Sequence, residues 1–153
     1  MADKPVGNTR RGEGTHLWLL IMKAFHSVAA HAKADLAKNG LGFSDFAVLE
    51  LLLHKGPMPV NSIGPKVNLT PGSISTAVDR LRAKRLVSRT GTARDRRVRI
   101  VALTAKGRAL IGPVFAKHST AMDAISGGLS SQESKHLATL LKKLGKYAEA
   151  LPC

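Results

Sequence analysis

The chain has 153 residues, with 24 Lys or Arg against 10 Asp or Glu and a formal charge of +14, a length that suits one core-forming domain and a charge that calls for a polyanionic partner. The longest apolar run, Leu17 to Met22, is far too short to cross a bilayer, and the lone cysteine, Cys153, excludes an internal disulfide and a multi-cysteine metal site. With few acids and no Gly-rich phosphate loop, the composition offers neither a nucleophile with its base and orienting acid nor a metal set, so no enzyme and no cofactor are expected.

Residues 1–14 are polar and Gly-rich, lack an apolar signal segment, and read as a mobile arm of a cytoplasmic protein. From Thr15 to Lys38, Leu17, Leu20, Ile21, Ala24, Phe25, Val28, Ala32 and Leu36 keep helical spacing until Asn39-Gly40. Ser44 is the expected N-cap of a second helix through His54, closed by Lys55-Gly56-Pro57. A short third helix is expected after Asn61 or Ser62. Thr70-Pro71 then gives an N-cap and an N1 proline to a fourth helix running to about Arg85, with Ile74, Val78 and Leu81 as its buried stripe.

After Leu86 the period changes. Val87 to Thr90 and Val98 to Leu103 favour strands joined by an arginine-rich turn, Gly91 to Arg97. A long helix from Thr104 to about Ser126 follows, with a kink expected at Gly112-Pro113. Ser130 to Glu133 has capping-box spacing before a last helix marked by Leu137, Leu140, Leu141 and Leu144.

The expected fold is mainly α with a small β-hairpin wing: a winged helix-turn-helix lobe flanked by long N- and C-terminal helices. A major groove admits one α-helix, and small polar residues such as Gly72, Ser73, Ser75 and Thr76 let a helix approach base edges. Between Asp79 and Arg108 there are eleven Lys or Arg and two acids. A one-signed cluster repels itself unless a phosphate backbone relieves it, and arginine at the tip of a two-stranded ribbon suits a narrow minor groove. Double-stranded DNA is therefore the expected partner and a membrane is not. The alternative open at this point is a nonspecific architectural nucleic-acid binder without an effector.

The stretch Leu69-Thr70-Pro71-Gly72-Ser73-Ile74-Ser75-Thr76-Ala77-Val78-Asp79-Arg80-Leu81, then Leu86-Val87-Ser88-Arg89, Asp95-Arg96-Arg97 and Val101-Ala102-Leu103-Thr104-Ala105-Lys106-Gly107, resembles the signature of the MarR (multiple-antibiotic-resistance regulator) family in order and spacing. The resemblance runs from about Leu17 to Leu144. It implies a sequence-specific transcriptional regulator, expected as a repressor, with the helix opened by Thr70-Pro71 in the major groove. Gly72, Ser73 and Thr76 would then face bases, with Ser75 beside them in the DNA-binding set. Arg97 would enter the minor groove, oriented by Asp95, with Arg80, Arg82, Arg94 and Arg96 completing the DNA-binding set. Two positions depart from the family pattern: Arg85 stands where a glycine is usual, and Gly64-Pro65 falls in the third helix.

The resemblance also implies a homodimer on a pseudo-palindromic operator, held by residues 15–40 and 104–150, with residues 44–103 as the DNA-binding lobe. It further implies release by a small aromatic or phenolic effector, for which Trp18, Met22, Phe25, His26 and His54 are the candidate liners. No metal is expected, since His26 and His31 are five residues apart and do not share a helix face.

Overall fold

The computed structural model describes residues 12–91 and 98–152. Its elements in order are α1 (Glu13–Ala37), α2 (Phe43–Lys55), β1 (Met58–Pro59), a 3₁₀ turn (Val60–Ser62), α3 (Ile63–Val67), α4 (Pro71–Ala83), β2 (Val87–Gly91), β3 (Arg99–Leu103), α5 (Ala105–Ser126) and α6 (Ser131–Glu149). The strands form one antiparallel sheet in the order β1-β3-β2, with Val87 opposite Leu103 and Met58 opposite Val101.

Helix α1 opens two residues earlier than Thr15. Gly12 takes a left-handed conformation (φ 93°) and Glu13 places a carboxylate at the positive helix end. Helix α2 corrects the expected cap. Gly42, in extended backbone, holds the N-cap position and Ser44 lies inside the first turn, its hydroxyl engaged by Arg80 instead. Strand β1 is not legible in the sequence because two residues are too few to show a period.

The core gathers Leu36 from α1, Leu49 and Leu52 from α2, Ile63 from α3, Ile74, Ala77, Val78 and Leu81 from α4, Val101 from β3, and Ile111 from α5, all 2% exposed or less. Each large apolar side chain so buried is worth about 1.5–3 kcal/mol. This core holds the helix-turn-helix against the ends of α1 and α5 that adjoin it.

The Gly64-Pro65 departure has a steric explanation. A Cβ on Gly64 would lie 2.8 Å from the Leu69 carbonyl oxygen, and the Gly64 carbonyl accepts the Leu69 N–H at 3.1 Å. Pro65 falls in the first turn of α3, where its missing N–H leaves no intrahelical bond unmade. Asn68 then turns the chain in the left-handed region (φ 53°), which asparagine tolerates.

The Arg85 departure is accommodated without a shift of the helix exit. Arg85 itself adopts φ 60°, the conformation a glycine would take without strain. Arg85→Gly is therefore expected to stabilise the protein by about 0.5–1 kcal/mol, read as a rise of roughly 2–3 °C in the thermal midpoint without DNA. An unchanged or lower midpoint would contradict the strain argument.

Helix α5 is capped by Thr104, whose hydroxyl accepts the Gly107 N–H at 3.0 Å, and continues as one helix through Pro113. Gly112 before the proline has no Cβ to clash with the ring. Helix α6 carries the expected capping box: the Ser130 N–H donates to Glu133 Oε2 at 2.8 Å and the Glu133 N–H to Ser130 Oγ at 3.3 Å. The Ser130 backbone N–H, and after it the Ser130 side chain, hold the Glu133 carboxyl below its ordinary range. Their contribution is present above the ordinary glutamate value and is lost as pH falls through the lowered one.

Candidate nucleic-acid interface

The interface is built on α4. The Thr70 hydroxyl accepts the Ser73 N–H at 3.2 Å and donates to Ser73 Oγ at 2.9 Å, which fixes the first turn together with Pro71 at N1. Ile74, Ala77, Val78 and Leu81 anchor the inner face, leaving Gly72, Ser73, Ser75 and Thr76 on the exposed one. Thr76 donates its hydroxyl proton to the Gly72 carbonyl at 3.0 Å, so toward solvent the hydroxyl offers only acceptor lone pairs. Two open hollows of about 380 Å³ flank the helix. One is lined by Ser44, Leu69, Gly72, Ser73, Thr76 and Arg80 and the other includes Ser75, Asn61 and Pro65. Gly72, Ser73, Ser75 and Thr76 carry a short side chain or none, and Arg80 at the edge of this surface is the long one.

The charges around α4 are organised by two acids. Asp45, in the first turn of α2 and only 2% exposed, accepts from Arg80 Nη2 at 2.6 Å and from Arg80 Nε at 3.1 Å, while Arg80 Nη2 also reaches Ser44 Oγ at 3.0 Å. This pairing raises the pKa of the Arg80 guanidinium further. Lys84 Nζ lies 3.9 Å from the same carboxylate. Asp79 faces Arg82 at 3.6 Å and Arg89 at 3.8 Å, tying α4 to strand β2.

The end of α4 is held by the start of α5. Thr104 Oγ1 donates within reach of both the Arg85 carbonyl (2.8 Å) and the Leu86 carbonyl (3.1 Å), and Lys106 Nζ donates to the Lys84 carbonyl at 3.1 Å. The exposed face of α4 and the long helix α5 thus share one junction.

Of the residues singled out in the sequence, Gly72, Ser73, Ser75, Thr76, Arg80 and Arg82 come together on and beside α4. Arg94, Asp95, Arg96 and Arg97 lie outside the described residues, between the Gly91 and Arg99 ends of β2 and β3. Trp18, Met22 and Phe25 lie on α1, Trp18 and Phe25 exposed and Met22 partly buried, and His26 stands edge-on to Phe25 at 6.0 Å. His54 is on α2, where it packs edge-on against Phe115 of α5 at 4.7 Å and lies 3.6 Å from Glu50. None of these five side chains lines either hollow beside α4. Asp45, Ser44 and Lys106 were not expected in the site. The 35-residue separation of Asp45 and Arg80 carries no periodic sign of their contact.

A model of the MarR family matches residues 44–98, from the first turn of α2 to the approach to β3. Over 133 residues the chain is 37% identical to the HTH-type transcriptional regulator MhqR of Bacillus subtilis (strain 168), covering 87% of this chain and 92% of MhqR. The chain belongs to the MarR family. Among solved structures, a MarR mutant from E. coli complexed with operator DNA superposes with a TM-score of 0.79 at 21% identity, covering 90% of this chain and 99% of that one. BpsR of Bordetella bronchiseptica, whose DNA binding is regulated by 6-hydroxynicotinic acid, superposes with a TM-score of 0.78 at 23% identity, covering 85% and 98%.

This MarR-family member accordingly has the winged helix-turn-helix fold of DNA-binding transcriptional regulators, with α3 and α4 as the helix-turn-helix and β2 and β3 framing the wing. Its relatives are regulators rather than enzymes. Among the described residues, no helix is long and apolar enough to cross a membrane.

Proposed function

We propose that this MarR-family regulator acts as a homodimer that recognises a pseudo-palindromic operator in double-stranded DNA, represses by occluding the promoter, and is released by a small aromatic or phenolic effector. The observation that carries the reading is the outer face of α4, small, polar and exposed, on a helix anchored along its whole inner stripe. Such a helix fits a major groove about 12 Å wide and brings Gly72, Ser73, Ser75 and Thr76 to base edges.

In this reading residues 44–103 form the DNA lobe. Arg97 enters the minor groove with Asp95 orienting it, and Arg82, Arg94 and Arg96 contact phosphates. Residues 15–40 and 104–150 supply the dimer helices, which is supported by the exposed apolar faces of α1 and α6 in the single chain. The effector role of Trp18, Met22, Phe25, His26 and His54 is supported by the nearness of His54 to α5. The aromatic acid that regulates BpsR is a compound of the same class.

The test is selection from a genomic-fragment library at about 0.15 M salt, where a regulator enriches one pseudo-palindromic site by at least ~10³ over random duplex. Arg97→Ala and Thr76→Ala are each expected to weaken that site by roughly 10-fold, the worth of one good groove contact. Tight but unselective binding would instead identify an architectural protein, and stimulation without repression in a reconstituted transcription assay would refute the repressor assignment.

A further inference from the structure

Arg80 is hydrogen-bonded through two nitrogens to the buried Asp45 carboxylate, which Lys84 Nζ approaches only to 3.9 Å. Asp45 is buried in the first turn of α2, whereas the Arg80 side chain is 46% exposed and follows Gly72 and Thr76 by eight and four residues along α4. Residues so spaced share a helix face, so Arg80 stands at the edge of the surface that carries the base-facing residues. Both Nε and Nη2 are directed at Asp45, and Nη2 also at Ser44. A buried ion pair is weak evidence for stability, because apolar side chains of similar volume often hold a core as well or better. An arginine held down at this position does something an apolar pair could not: its charge is already matched, so it displaces no counterion from a phosphate.

We propose that Asp45 is a positioning residue for DNA recognition, pinning Arg80 beside Ser44 so that it orders the reading face of α4 without taking a phosphate of its own. The inference rests on the DNA-binding reading above and deepens it. On a chain of charge +14, a free arginine at the rim of the recognition helix would bind any duplex and narrow the gap between operator and random DNA. Asp45 removes that sequence-independent contact and leaves selection to the short side chains.

The test compares the salt dependence of binding to a random-sequence duplex and to the selected operator for wild type, Asp45→Asn and the double variant Asp45→Asn/Arg80→Met. Neither variant leaves a buried charge without a partner, and circular dichroism melts confirm that each is folded. Asp45→Asn is expected to steepen the log–log salt slope on random duplex by about one and to lower the operator-to-random ratio about tenfold. The double variant is expected to return to the wild-type slope while the ratio stays low, because Arg80 no longer braces the helix. Glu149→Gln adds the same net charge at the far end of α6 and is expected to leave the slope unchanged.

An Asp45→Asn slope equal to wild type overturns the proposal. So does a double variant whose slope is shallower than wild type by about one, since Arg80 would then already lie on a phosphate. Should Asp45→Asn fail to fold, the double variant still decides through both readouts: a wild-type slope with a lowered operator-to-random ratio supports the clamp, and a shallower slope or an unchanged ratio overturns it. Lack of any preferred site for wild type would overturn the regulator reading, while the slopes on random duplex would still test the clamp.

Discussion

Gly107→Ala is expected to destabilise the protein by about 3–5 kcal/mol and to lower its thermal midpoint by roughly 10 °C or more. A Cβ at this position would lie 1.9 Å from the Leu86 carbonyl oxygen and 2.9 Å from its carbonyl carbon. The obstacle is backbone, not the end of a flexible side chain, and it is already fixed by the Thr104 N–H and Thr104 Oγ1, each at 3.1 Å. Making room means breaking those bonds, roughly 1 kcal/mol each, on top of the 1–3 kcal/mol typical of overpacking. Because the displaced carbonyl lies three residues past the end of α4, whatever fraction of the variant remains folded is expected to bind operator less tightly as well. Thermal melts and operator titrations of the same preparation check both effects. A midpoint within 3 °C of wild type would show that α5 can withdraw from Leu86 cheaply.

The second large effect concerns α6. Its 19 residues include Leu137, Leu140, Leu141, Leu144 and Tyr147, all exposed, and none of its residues is buried in the single chain. Leu17, Trp18, Leu20 and Phe25 of α1 are exposed in the same way. An isolated helix of this length is only marginally stable in water, and an apolar stripe of this extent costs about 25 cal/mol for each Å² left wet. A second copy of the chain covers both faces in the proposed dimer. The double variant Leu141→Glu/Leu144→Glu is therefore expected to sediment as a monomer at micromolar concentration, to lose part of its helical circular dichroism, and to bind a two-half-site operator at least 100-fold more weakly. A variant that remains dimeric with full operator affinity would place the dimer contact elsewhere.

Much of the site was legible in the sequence because its parts are local. The Thr70-Pro71 start of α4 follows from adjacent residues, and the burial of Ile74, Val78 and Leu81 follows from a period of 3.6. The start of a helix near Thr104 and the Ser130–Glu133 box are local signals, although only the structure shows Thr104 to be the cap itself. The one-signed charge between Asp79 and Arg108 needed only counting.

What the tertiary structure alone decided are contacts between residues far apart in the chain. Arg80 reads as one cation among many until the fold sets it against Asp45, and Ser44 reads as a helix cap until the same fold gives its hydroxyl to Arg80. Gly107 is one residue of a signature until the Leu86 carbonyl arrives where its Cβ would be. Apolar spacing announced α1 and α6 as amphipathic but could not say that one chain leaves the α6 stripe and Leu17, Leu20, Phe25 and Val28 of the α1 stripe exposed. Helices, caps and charge are set by neighbours within a turn or two and are written in the sequence. Ion pairs, close backbone approaches and the choice between burial within the chain and burial by a partner depend on how elements meet, and no local pattern encodes that.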